Sequence, residues 1–268
     1  QIANKFNSKS PMLKMNLFGQ PSVVLFSHDL VKQWQEYEMR GQTQRAIPSH
    51  LLPLFGKVAD DMYGKAHLEW RKHALPAFKP HIVDQYTPFI QKAANEIILS
   101  KIAQETEVTG ESTYFCQLAK RFAYEVGMKF IMGPLLSDQE RNDLFEIFRP
   151  YANGLSADAL NDIEAKDPDS TLSKAYRAHD ELNQILSHKY VKAETLLQNN
   201  EWNEIEEDCL LKGLLQNNGA GIFDNGGEYE LKDKVDLVID LVNAAYDTTA
   251  TSLNNLVYAF YKHPDETA

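Results

Sequence analysis

The spacing of apolar positions changes period once, near the start of the chain. Over residues 12–26, MLKMNLFGQPSVVLF, two short apolar stretches flank GQP, a turn combination, and predict a β-hairpin. From His28 onward the apolar spacing is helical. SHDLVKQWQEYEM begins with Ser27 placed as an N-cap and predicts an amphipathic helix. Residues 40–66 hold two prolines, three glycines and no clean period, which predicts a long irregular loop. Helical spacing returns in HLEWRKHALPAF, PHIVDQYTPFIQKAANEIILSKIAQE and STYFCQLAKRFAYEVGMKFIMG. LSDQERNDLFEIFRPYAN adds a capping-box pattern, Ser137 three residues before Glu140. A long polar helix is predicted over residues 170–199 and a shorter one within 204–218. GAGIFDNGG follows no strand and reads as a plain loop, so a dinucleotide-binding sheet is not expected. The fold class is mostly α with a small N-terminal β-hairpin.

The last predicted helix carries the chemistry. Val235, Val238, Val242, Ala245, Thr249, Leu253, Leu256 and Phe260 recur at steps of three and four, with Leu237, Leu241, Ala244, Thr248 and Thr251 as an adjacent stripe. NAAYDTTATS, residues 243–252, interrupts this apolar pattern with Asp247, two adjacent threonines, a third threonine and a serine. An aspartate in a buried helix is costly unless paired. Threonine hydroxyls can bond back to the preceding turn's carbonyls, and Ala244 and Ala245 let another group approach the backbone. Two readings follow: a satisfied polar bend with Asp247 at solvent, or an acid–alcohol pair handling protons beside a small-residue notch.

Composition narrows the classes. The chain has 268 residues, 43% apolar and 24% charged, with a formal net charge of −11. That acidity and the absence of a basic stripe argue against nucleic-acid binding. Two cysteines, Cys116 and Cys209, without a CxxC or a Cys/His cluster, provide neither a disulfide framework nor a zinc site, and both are expected to be ordinary buried or half-buried thiols. A reducing, intracellular setting is the default. No run of about 18 apolar residues, the length a bilayer span needs, occurs in the sequence. Gln1 is not a methionine, and YKHPDETA stops after a Pro-containing break, so both ends look cut and an anchor upstream of Gln1 stays open.

AAYDTT resembles the [A/G]-G-x-[D/E]-T-[T/S] stretch of the long I helix of cytochromes P450, and the run into YKHPDETA is similar to that family's passage toward the J helix. A second stretch, GKAHLEWRKHALPAF, residues 64–78, resembles the family's C-helix region. Here His67 and Arg71 are four apart, on one helical face. The resemblance covers essentially the whole chain, residues 1–268, as a single partial P450 domain running from the hairpin through helices B to I. It implies that Asp247 and Thr248 supply protons for O–O cleavage, and that His67 and Arg71 bind haem propionates, with His73 further out. It also implies that Ala244, Ala245 and Thr248 face the cofactor. Ala245 stands where the family usually has glycine, and its methyl is expected to narrow the oxygen groove.

A P450 holds iron through a thiolate in F-x-x-G-x-x-x-C-x-G, preceded by E-x-x-R, and neither motif occurs here. The expectation is therefore a C-terminally truncated P450-like fold with the axial cysteine outside the chain. The parent would be a haem-thiolate monooxygenase acting on an apolar small molecule with O2 and an external donor, a reductase or a ferredoxin. The piece alone is expected to be inactive and prone to aggregate. Irregular residues Ile47–Tyr63 and residues Phe145–Leu155 are expected to form the pocket's lid. The alternatives are a non-catalytic helical scaffold, or a P450-fold isomerase or dehydratase.

Overall fold

The computed structural model describes residues 11–17, 20–43, 47–48, 50–57, 64–108, 114–155, 167–204, 208–216 and 229–264. Strands β1 (Met12–Leu17) and β2 (Gln20–Leu25) pair antiparallel, Met12 opposite Leu25 and Leu17 opposite Gln20. The expected hairpin is present. Helix α1 (His28–Met39) starts where predicted: the Ser27 hydroxyl accepts a hydrogen bond from the Leu30 amide at 3.1 Å. None of its residues is buried, and Trp34 and Tyr37 are about half exposed.

A 3-10 turn at Leu52–Leu54 is the regular piece of the irregular segment, and α2 (Gly64–Ala74) and a second 3-10 turn (Leu75–Phe78) follow it. The next predicted helical stretch is broken into α3 (Pro80–Gln85), α4 (Thr87–Ala93), a π-helical turn (Ala94–Leu99) and α5 (Ser100–Val108). Prolines at the starts of α3 and α4 fit the first helical turn, where a missing N–H costs nothing.

Four helices form the body: α6 (Phe115–Met132), α7 (Asp138–Leu155), α8 (Thr171–Gln198) and α10 (Leu231–Lys262). Between them lies the short α9 (Leu210–Gln216). The capping box of α7 is formed: the Ser137 amide donates to Glu140 Oε2 at 2.8 Å and the Glu140 amide to Ser137 Oγ at 3.3 Å. Helix α8 is less polar in place than its sequence suggested. Leu172, Ala175, Leu182, Leu186, Tyr190 and Ala193 line its inner face, each 2% exposed or less.

Small residues set how closely the helices approach. A Cβ on Gly154 of α7 would lie 2.1 Å from the Ala175 Cβ of α8. Likewise, a Cβ on Gly127 of α6 would lie 2.9 Å from the Ala245 Cβ of α10. Ala119 and Ala123 of α6 cluster with Ala250 of α10, so the two helices run antiparallel along a seam of small residues. Helix α6 ends at Gly133, whose φ of 54° and ψ of −127° favour a residue without a side chain.

One buried ion pair ties α6 to α7. Arg141, 1% exposed, donates to Glu125 Oε1 at 2.6 Å, to the Leu136 carbonyl at 2.8 Å and to Asp138 Oδ1 at 2.6 Å. The neighbouring guanidinium holds the Asp138 carboxyl below its ordinary range. Among the described residues, no helix is long and apolar enough to cross a membrane.

Candidate functional site

Helix α10 sorts the residues of NAAYDTTATS onto two faces. Val235, Val238, Ile239, Val242, Tyr246 and Ala250 are buried, whereas Ala244, Asp247, Thr248, Thr249, Thr251 and Ser252 are exposed. The inner stripe therefore runs through Tyr246 and Ala250, with Ala245 half-buried at its edge against Gly127, and not through Thr249 as the periodicity predicted. The cause is the neighbour. Antiparallel α6 presents glycine and alanine at the seam, and Tyr246 fills the wider gap beside Phe148, edge-on at 5.2 Å.

On the open face, Thr248 Oγ1 donates to the Ala244 carbonyl at 2.7 Å, and Ser252 Oγ donates to the Thr248 carbonyl at 2.9 Å. The bond back to the preceding turn is thus made, and the helix stays continuous through it. The Thr248 hydroxyl spends its proton on the helix and keeps its lone pairs for an outside donor. Asp247 is adjacent and exposed. Ala244 leaves an open notch one turn before Thr248. Ala245 departs from this group, since its methyl is directed at Gly127 of α6. Burial pushes the Tyr246 hydroxyl up to about 12, with the Asp247 carboxylate adding to the rise.

Helix α2 carries the second candidate set. His67 is half-buried and Arg71 exposed, and the His67 ring stacks near-parallel on Trp70 with centroids 6.2 Å apart. No hydrogen bond or ion pair among the described residues joins this set to Asp247 or Thr248. The side chain of His73 lies outside the described residues. Two buried donors stand without a partner in this part of the chain, Trp70 Nε1 and His50 Nε2. An exposed guanidinium, a half-buried imidazole and a buried indole N–H without an acceptor make a donor set suited to the carboxylates of a haem.

Of the expected lid, residues 58–63 and Ser49 lie outside the described residues. The rest of Ile47–Tyr63 is pinned to the helix body. Tyr176 of α8 donates to the His50 carbonyl at 2.5 Å, and the Tyr151 hydroxyl lies 3.4 Å from the Leu54 carbonyl and 3.2 Å from Asp240 Oδ1. Gly56 sits against Asp236, whose Cβ would be 2.3 Å from a Cβ there. Asp236 is 4% exposed; Asn183 Nδ2 donates to it at 2.5 Å, and His179 Nε2 lies 3.1 Å from Asp236 Oδ1. Sequence reasoning missed this cluster. Its signal was present: Asp236 and Asp240, four apart, interrupt the apolar run KVDLVIDLV.

The cysteines divide. Cys209 is buried against Gly133, but Cys116 is exposed in the first turn of α6, correcting the expectation of a buried or half-buried thiol. Exposure follows from its place around α6: Phe115 and Ala119, one turn apart, face the contact with α10, and Cys116 lies off that face. Among the described residues, no cluster of His, Cys, Asp and Glu is placed to hold a metal ion.

Known proteins share the fold. The family model described as Cytochrome P450 matches residues 1–268. Cytochrome P450 26C1 of Mus musculus is 26% identical over 265 residues, covering 94% of this chain and 45% of its own length. Cytochrome P450 26B1 of Xenopus tropicalis is 23% identical, with 75% and 36% covered. The chain thus spans less than half the length of these relatives. Among solved structures, a cyanobacterial CYP120A1 described as bound to retinoic acid aligns with TM-score 0.63 at 20% identity, covering 95% of this chain and 53% of that one. P450BioI, described in complex with a hexadec-9Z-enoic acid ligated acyl carrier protein, aligns with TM-score 0.62 at 14% identity, covering 99% and 62%.

Proposed function

The chain belongs to the cytochrome P450 family, and on that premise we propose that it supplies the distal half of the active site of a haem-thiolate monooxygenase acting on an apolar small molecule. The observation that carries the reading is the two-faced helix α10, which keeps Ala244, Asp247 and Thr248 open while its other side is buried against α6. When bound, haem supplies an iron centre at which O2 is reductively split, one atom entering a C–H bond and the other leaving as water. That stoichiometry consumes two electrons and two protons, and the protons are what this chain provides.

The Thr248 hydroxyl, its own proton held by the Ala244 carbonyl, accepts a hydrogen bond from a water and fixes that water over the notch. Asp247 is the carboxyl that exchanges protons with solvent and recharges the water. Ala244 leaves room for the reacting molecules. Arg71 and His67 anchor the haem carboxylates, with Trp70 Nε1 adding a donor. Ala245 acts by spacing α10 from α6 and so tunes the depth of the notch indirectly. The thiolate ligand is proposed to lie outside these 268 residues, and the electron donor is a reductase or ferredoxin. The exposed Leu256, Val257, Tyr258, Phe260 and Tyr261 at the end of α10 are proposed to pack on the remainder of that parent.

The test uses the full-length, haem-loaded protein with retinoic acid as the probe substrate, because a fold neighbour is described as binding it. Thr248→Ala is expected to raise peroxide released per O2 consumed several-fold, and Thr248→Ser to restore the native ratio. An unchanged ratio in Thr248→Ala would refute the water-holding role.

A further inference from the structure

A second cavity lies on the other side of α10 from Thr248. It has a volume of about 680 Å³ and is bounded by α6, α7, α8 and α10, with Lys120, Arg121, Arg149, Lys174, Phe145 and Tyr246 on its walls. Tyr246 is two residues from both Ala244 and Thr248, so at 100° per residue it points about 160° away from them around the helix. The cavity is therefore separate from the open face.

Its charge runs against that of the chain. In a protein of net charge −11, four cations converge here, and none of the described lining residues is acidic. Two of the four are already paired: Arg121 with Glu125 at 3.2 Å and with Asn142, and Arg149 with Glu146 at 2.9 Å. Lys120 and Lys174 have no carboxylate partner among the described residues. Lys120 Nζ sits 5.6 Å from the centroid of the Tyr246 ring. Lys174 lies in the first turn of α8, at the positive end of the helix dipole, where a cation is disfavoured and an anion is welcome. Thr171, the first residue of α8, lines the same cavity. Phe145 and Tyr246 make the interior aromatic beneath this charged wall.

We propose that this cavity binds an organic anion with an apolar body and a doubly charged head, such as a phosphate monoester or a dicarboxylate. Two lysines without a carboxylate partner among the described residues and the start of α8 match a charge of two, the aromatic wall matches the body, and the volume falls in the range of ordinary ligand sites.

The proposal is tested by calorimetric titration of the full-length, haem-loaded protein with four probes. 1-Naphthyl phosphate and naphthalene-1,4-dicarboxylate are set against neutral 1-naphthol and inorganic phosphate. At least one of the two organic dianions is expected to bind tenfold or more tighter than both controls, and the tighter one identifies the head chemistry. Lys120→Gln combined with Lys174→Gln should lose that advantage, and Lys120→Arg combined with Lys174→Arg should keep it. Binding should leave the haem absorption band unshifted. Equal affinity for 1-naphthol or inorganic phosphate, an unaffected glutamine variant, or a shifted haem band, which would place the ligand on the Thr248 face, would each overturn the proposal. Because the readout is heat, it stands even if the monooxygenase reading fails.

Discussion

Replacing Glu125 by alanine tests how α6 and α7 are held together. Arg141 is 1% exposed and its Nε donates to Glu125 Oε1 at 2.6 Å. Without Glu125, the buried guanidinium retains the Leu136 carbonyl and Asp138, whose side chain is 73% exposed and so a weak counter-charge. Removing one partner of a buried pair costs about 3–5 kcal/mol, because the remaining charge stays desolvated. Asp138 offsets part of that, which places Glu125→Ala near the lower end, about 3 kcal/mol. Urea unfolding of the full-length protein, followed by circular dichroism, should show a lower midpoint with an unchanged slope. The double variant Glu125→Leu/Arg141→Met removes both charges and leaves apolar groups of similar size. It should be more stable than Glu125→Ala, since a buried pair exchanged as a unit is often neutral. A loss below about 1 kcal/mol for Glu125→Ala, or a double variant no more stable than it, would refute the reasoning.

Gly133→Ala is expected to cost roughly 2–4 kcal/mol, from a φ that disfavours side chains and a Cβ set 2.6 Å from that of Cys209; thermal unfolding reads it. Gly127→Ala should destabilise by about 1–3 kcal/mol through its 2.9 Å approach to Ala245, and Ala245→Gly in the same chain should recover most of the loss. If the two losses simply add, the seam is not the contact described. The Glu140 carboxyl, bonded to Lys189 and to Ser137, sits at about 2 in the folded state against an ordinary 4.5. Its contribution is complete above pH 4.5 and is lost as the pH falls toward 2, so Glu140→Gln should flatten that stretch of the stability–pH curve. A variant curve parallel to the native one would contradict the pairing.

Much of the fold was legible because it is written locally. Ser27 and the Ser137–Glu140 pair mark helix starts through bonds within four residues, and GQP marks the hairpin by backbone preference. The polar run on α10 was legible as a break in the apolar pattern, and so was the bond of Thr248 back to its own helix. The direction in which each residue faces was not. Thr249 fits the inward period as well as Ala250 does, and what decides between them is the Ala119 and Ala123 surface of α6, more than a hundred residues away in the chain. The Asp236 cluster was hidden for a related reason. A carboxylate in an apolar run shows that a partner exists, but His179, Asn183 and Gly56 come from two distant segments. Cys116 was misplaced because a helical period does not say which side of the helix its neighbour covers, and here that side is the one of Phe115 and Ala119.

The seam between α6 and α10 has a consequence for altering this protein. Substitutions on the open face change the shape of that wall directly, whereas substitutions at Gly127, Ala123 or Ala119 move the whole wall. Widening the seam by one methyl group would shift Thr248 and Tyr246 together, because both ride on the same helix. The open face and the cavity thus share one helix as a common wall, and the setting of that wall is held by residues that line neither of them.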